Sequence, residues 1–255
     1  MDFPALITFL SELALHNNKP WFEERRPTYE RLREEWLAFV GQVIDGTAQF
    51  DPSVGFVSPK DALFRINRDI RFSADKRPYK TMFSAAICPQ GRASGLPAYY
   101  FQINEAGALL IAGGVHTPAP PILSQIREHI AEHPERLAAV LADSAFTAVY
   151  GTIEGERLKR PPQGYDAQTP GIEYIKLKSF TAGIEPEGWL ARADGLAGEI
   201  VAAFQALYPL IRWLREALTG RDAPGYLSPR ESDRLAGRGL GLAGRSTRHA
   251  RADDP

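Results

Sequence analysis

Between two β-prone runs, Ala98 to Asn104 and Ala108 to Val115, the chain has only Asn104-Glu105-Ala106-Gly107 in which to reverse direction. A connection that short joins antiparallel neighbours and leaves no room for a crossover helix. Met82 to Cys88 is a third such run, set apart by Gly, Pro and Asn, so the middle of the chain is expected to form an antiparallel meander.

Helical periodicity surrounds it. Leu6, Phe9, Leu10 and Leu13 line one face of a first helix, which stops at His16-Asn17-Asn18-Lys19-Pro20. Pro20 suits the first turn of a second helix, with Trp21 and Phe22 as apolar anchors, and Pro27 restarts it. Tyr29, Leu32, Trp36, Phe39, Val40 and Val43 then form an apolar stripe up to a break expected near Asp45-Gly46. Further helices are expected over Pro121 to His133 and Pro134 to Leu141, and the longest over Pro186 to Leu218, ended by Gly220. The fold class is therefore α+β: an antiparallel sheet, a meander, packed with several helices and closed by a long C-terminal one. Residues 1–220 are expected to form one domain. From Arg221 to Pro255 the chain is rich in Arg, Gly, Ala and Asp, with almost nothing to bury, and reads as a disordered tail.

Composition removes several functions. Thirty Lys plus Arg stand against 31 Asp plus Glu, which argues against a surface coated for nonspecific DNA binding. The single Cys88 forms no intramolecular disulfide and belongs to no Cys-x-x-Cys pair, and no apolar run approaches the roughly 20 residues of a spanning helix. With no basic start and apolar leader at Met1, the chain reads as soluble, cytoplasmic and without a membrane partner.

Two motifs mislead. Gly239 to Gly244 spells G-x-G-x-x-G, but a dinucleotide turn must follow a strand and open a helix, and this one sits in the polar tail. His129-Ile130-Ala131-Glu132-His133 matches a zinc-protease pattern, yet Pro134 puts His133 at a helix end where the dipole alone favours it. No metal ligand set is assigned and no cofactor is named. Phosphate-binding loops and nucleophile elbows are absent.

The strongest chemical signal is Lys60 to Lys80, with seven basic residues against three acidic ones. If Phe64 to Ser73 is extended, Arg65, Asn67, Asp69, Arg71 and Ser73 share one face, and the other is apolar except for Arg68. With a three-residue repeat, Arg65, Arg68 and Arg71 converge instead. A turn over Ser73 to Lys80 brings Lys76, Tyr79 and Lys80 close behind. Guanidinium forks and ammonium groups so gathered suit phosphate or carboxylate, with Asp69 orienting an arginine or carrying a metal or a proton. The same residues also suit an internal ion-pair network tied to the acidic helices around Glu23, Glu30 and Glu34, and this structural reading carries slightly more weight.

The run Phe64-Arg65-Ile66-Asn67-Arg68-Asp69-Ile70-Arg71-Phe72-Ser73, with Asp75-Lys76 and Pro78-Tyr79-Lys80-Thr81, resembles the signature of an uncharacterised conserved family of bacterial and fungal proteins, a domain of unknown function. Asn17-Asn18-Lys19 with Trp21-Phe22, Tyr99-Tyr100 leading to Gly113-Gly114, and Leu177-Lys178-Ser179-Phe180 resemble its other motifs, so the likeness spans roughly Phe3 to Leu218. It implies one conserved domain and no known reaction.

Gly113-Gly114 reads as a tight turn rather than an anion cradle. His116, beside it, would be the one imidazole near the basic cluster and is, with Asp69, a weak catalytic candidate. The functional expectation is a site for an anionic, phosphorylated small molecule lined by Arg65, Arg68, Arg71, Lys76, Tyr79 and Lys80, with phosphoryl or nucleotidyl chemistry if it is an enzyme. The alternative is a non-enzymatic interaction module. Single-stranded nucleic acid ranks last as a partner, because no aromatic ladder accompanies the arginines.

Overall fold

A computed structural model describes residues 1–219. The expected tail and its glycine motif lie outside those residues.

Helix α1 (Phe3–Leu15) begins where the Asp2 carboxylate accepts the Ala5 amide at 3.0 Å, and α2 (Lys19–Glu24) where Asn18 accepts that of Trp21 at 3.1 Å. Arg25 separates α2 from α3 (Arg26–Ala48), so the restart expected at Pro27 falls one residue from the observed helix start. Contrary to the expected break, α3 continues through Gly46. That glycine is a contact rather than a stop: a Cβ there would lie 2.6 Å from Val201 Cγ2, so its bare backbone admits the last helix.

After the short α4 (Pro59–Ala62) come β1 (Met82–Ile87), β2 (Ala98–Asn104) and β3 (Leu109–Val115), paired antiparallel in chain order. Among the described residues a fourth strand that periodicity did not single out, β4 (Phe180–Ile184), extends the meander along β3. Between β3 and β4 lie α5 (Pro120–Glu132), α6 (Pro134–Leu141), α7 (Ser144–Tyr150) and α8 (Ile172–Ile175). The long C-terminal pattern divides into a 3-10 segment, Trp189–Gly195, and α9 (Leu196–Thr219), because Arg192 leaves helical geometry at φ −116°.

Strand alternation gives the sheet two unlike faces. Phe83, Ala85, Tyr99, Phe101, Ile103, Ile111, Phe180 and Ala182 are buried among the helices. Trp36 of α3 meets the Phe101 ring at 5.3 Å, and Phe204 of α9 meets that of Tyr99 at 5.0 Å. Gly113 is not a turn but an interior strand position under α9, where a Cβ would stand 2.4 Å from Leu207 Cδ2 and 2.7 Å from the Ala98 carbonyl oxygen. Its neighbour Gly114, at φ 120°, runs so close to β4 that a Cβ would meet the Phe180 carbonyl at 2.0 Å. The opposite face, starting from Ser84, Ala86, Ala98, Tyr100, Gln102, Ala112 and Gly183, carries mostly short side chains.

One polar knot fastens the buried layer. Asp51, after α3, accepts the Arg215 guanidinium of α9 at 2.7 Å and the Tyr99 hydroxyl of β2 at 2.9 Å, while the Ser53 hydroxyl donates to it at 2.6 Å. Asp51 and Arg215 are 2% and 4% exposed, so removing either strands the other's charge away from water. Asp51→Ala is expected to lower unfolding stability by about 3–5 kcal/mol in urea melts.

Where α5 meets α9, His129 lies 5.6 Å from the Trp213 ring, and burial, aided by His133 and Arg136, holds its pKa below the ordinary 6.5. The unfolded chain then binds more protons, so this contribution is complete above about pH 6.5 and is lost as the pH falls below it. Melts from pH 7.5 to 5 should show that loss, reduced in His129→Phe.

Candidate functional site

The face of the sheet turned away from α9 forms the floor of a cleft of about 620 Å³. Strand register explains its depth. Ala86, Tyr100, Ala112 and Gly183 stand side by side across the four strands, and Ala98, Gly114 and Thr181 form the next row, so five of seven floor positions carry a methyl group or a hydrogen. Four strands at about 4.8 Å spacing make the floor about 14 Å from edge to edge. Leu96 and Leu110 stand along its sides.

At the β1 edge, Leu63 bridges to Ala85 and the Phe64 amide donates to the Ser84 carbonyl at 3.1 Å, which fixes Phe64 as the end wall. Its ring meets that of Tyr100 at 6.1 Å and 73°, making a corner with the floor. Two cations cover Phe64: Lys80 Nζ lies 5.1 Å and the Arg92 guanidinium 5.5 Å from its centroid. Arg92 is held by donating to the Asp61 carbonyl at 2.8 Å. Among the described residues neither cation has a carboxylate within ion-pair distance. Burial, and secondarily Arg92, pushes the Lys80 pKa below the ordinary lysine value. Nearby, the Tyr100 hydroxyl donates to Gln102 Oε1 at 2.5 Å, with Ser84 as a further hydrogen-bonding neighbour.

At the β4 edge the lining is His116, Glu154 and Thr181. His116 is exposed at the end of β3, and Glu154 is fixed by a β-bridge to Thr181. Thr117, next to His116, has φ 52°, a costly conformation for a β-branched residue.

The arginine-rich segment is built differently. It is neither a strand nor a three-residue coil but a narrow finger. The Arg68 amide donates to the Pro78 carbonyl at 2.9 Å and that of Lys80 to Ile66 at 2.7 Å. Asn17 anchors its base from the helical side by exchanging two 3.0 Å hydrogen bonds with the backbone of Tyr79. Tyr79 is buried, its ring stacked 4.1 Å from that of Phe22. The expected alternation holds as far as Ile70 and fails at Phe72, which is 95% exposed at the tip.

The finger's charges answer one another. Arg68 reaches Asp75 at 2.7 Å and also donates to the Arg77 carbonyl, Arg77 pairs with Asp75 at 2.8 Å, and Arg71 pairs with Asp69 at 2.6 Å. Lys76 donates to the Ile70 carbonyl at 3.1 Å, and Arg65 is exposed. The helices named as partners are occupied elsewhere, with Glu23 and Glu30 on Arg26. Of the residues singled out from the sequence, Lys80 stands beside the cleft and His116 lines its far edge. Arg65, Arg68, Arg71, Lys76 and Asp69 lie along the finger, and Tyr79 faces the helices.

Sequence reasoning missed Arg92, an isolated basic residue in a Gly- and Ser-rich loop, and the floor, whose only signal is small residues at alternate positions of several strands. Among the described residues no group of three or more His, Cys, Asp or Glu is placed to hold a metal ion, His129 and His133 included, and no helix is long and apolar enough to cross a membrane.

A family model described as a conserved hypothetical protein, DUF2461, matches residues 5–213, agreeing with the likeness drawn from the motifs. No curated protein and no solved structure matches the chain.

Asp75 ties the finger together, and the hydrogen bonds of Arg77, then those of Arg68, hold its carboxyl far below the usual range. Asp75→Asn is expected to speed limited proteolysis between residues 69 and 77 while leaving the thermal midpoint nearly unchanged. A large drop in that midpoint would mean that the finger supports the core.

Proposed function

We propose that this chain, which belongs to the DUF2461 family of conserved hypothetical proteins, binds an anionic organic ligand in the cleft over the open sheet face. One observation carries the reading: Lys80 and Arg92 both stand over one aromatic ring, repel each other, and have no carboxylate partner among the described residues. Like charges gathered at a partly dehydrated cleft wall are costly until an anion joins them, whereas Arg68, Arg71 and Arg77 of the finger are already paired with Asp69 and Asp75.

A phosphate monoester suits the pair best. It carries close to two negative charges near neutral pH, one for each cation, and its oxygens match the guanidinium fork. Tyr100 and Gln102 supply further hydrogen-bonding groups on the floor side. In this reading Arg68, Asp69, Arg71, Asp75 and Arg77 shape the finger, and Lys80 connects it to the site. The function so described is binding; His116 lines the cleft at the edge away from the cations.

The test is a thermal-shift series with inorganic phosphate and simple phosphomonoesters. Ligand at a hundred times its Kd adds about 2.7 kcal/mol, or roughly 5–10 °C for a protein of this size. That shift is expected in the wild type and in Arg71→Ala, and is expected to disappear in Lys80→Ala and Arg92→Ala variants that remain folded. A shift lost in Arg71→Ala and kept in Lys80→Ala would return the site to the finger.

A further inference from the structure

We infer that the ligand of this cleft is a phosphorylated flat aromatic compound of about the size of a nucleoside monophosphate; the inference rests on the anion-binding reading above and specifies what the rest of the molecule is.

The floor is the first argument. A sheet face ordinarily presents a pleated relief of alternating side chains, which suits irregular or flexible partners. Here the relief is reduced along two adjacent rows to the Tyr100 ring, between Ala86 and Ala112, and to Thr181 at the β4 edge, and nothing longer than a methyl group rises from Ala86, Ala112, Gly183, Ala98 and Gly114. The close strand approach at Gly114, where an added Cβ would meet the Phe180 carbonyl at 2.0 Å, keeps that position bare, and a Cβ at Gly183 would press on that of Ala112 at 3.1 Å. What remains beyond the Tyr100 ring, over Ala98, Ala112, Gly114 and Gly183, is a level apolar strip from β2 to β4, about 10 Å long and about 7 Å wide, the width being one two-residue step along a strand. A fused ring system lies against such a strip with contact over its whole face. A flexible chain would lose conformational entropy there without walls to enclose it.

The end wall is the second argument. Phe64 stands edge-on to Tyr100, and the two cations sit over the Phe64 ring rather than above the floor, so the charged end of a ligand is drawn to the wall and its body is left over the strip. The third argument is the far edge. There the apolar strip gives way to His116, Glu154 and Thr181, polar groups suited to the hydrogen-bonding rim of a heteroaromatic ring and of no use to a hydrocarbon tail.

Three phosphomonoesters of similar charge and different bodies test this by calorimetry: 1-naphthyl phosphate, n-octyl phosphate and ribose 5-phosphate, with adenosine monophosphate as the polar-rimmed aromatic. The aromatic pair is expected to bind at least tenfold more tightly than the other two. Ala112→Leu, which plants a branched side chain in the strip, is expected to weaken the aromatic pair at least tenfold, with its fold checked by its melting curve. Octyl or ribose phosphate binding as tightly as the aromatic pair, or Ala112→Leu leaving the aromatic pair unchanged, would overturn the inference. In those cases Lys80-dependent binding would still uphold the anion reading, whereas no Lys80-dependent binding by any of the four would remove both.

Discussion

The buried contact between Asp51 and Arg215 sets the terms for everything around it. It joins residues 164 positions apart and, through the Tyr99 hydroxyl, fastens the segment after α3 and the last helix to the same strand. Two buried charges cost several kcal/mol to dehydrate, a cost that their direct contact and the hydrogen bonds to the carboxylate offset. Ser53 and Tyr99 complete the carboxylate's hydrogen bonds, so the pair fixes one seating of α9 on the sheet rather than a range of them. Gly46 and Gly113 complete that seating by letting α9 approach α3 and β3 more closely than any side chain would permit. With α3 and α9 committed to one face, the other face of the four strands is left to the cleft.

The two basic regions illustrate how context decides what a positive charge does. In the finger, each arginine that pairs has its aspartate two residues away or directly across a narrow turn, and exposed pairs of this kind hold local shape more than they stabilise the whole. Lys80 and Arg92 come from segments that meet only in the folded chain, and the group they share is an aromatic ring instead of an acid. The density of charge along the sequence therefore points to the finger, while the two cations that share an aromatic ring lie at its base.

Much of the architecture was legible because it depends on neighbours in sequence. The four-residue turn after Asn104 imposed the hairpin, and the stripes of α1 and α3 announced their buried faces. Glycines were misread where their role is spatial: Gly46 and Gly113 look like a stop and a turn until α9 is placed against them. β4 escaped notice because Phe180–Ile184 is short and follows a Pro-rich stretch, and the 3-10 start of the C-terminal segment because its apolar spacing continues smoothly into α9. The candidate site was the least legible part. Lys80 could be named from its basic company, but Arg92, Phe64 and a floor of small residues meet only through strand register, and Asp51 and Arg215 give no local sign of each other.

That register has a consequence for how such proteins diverge. Along β2, Tyr99 and Phe101 serve the interior while Ala98, Tyr100 and Gln102 serve the cleft, and β3 divides its residues in the same way. Changes at the outward alanines can therefore reshape the cleft without disturbing the interior that keeps the chain folded. A single inserted or deleted residue in either strand would exchange the two sets at once, whereas a substitution alters one face at one position.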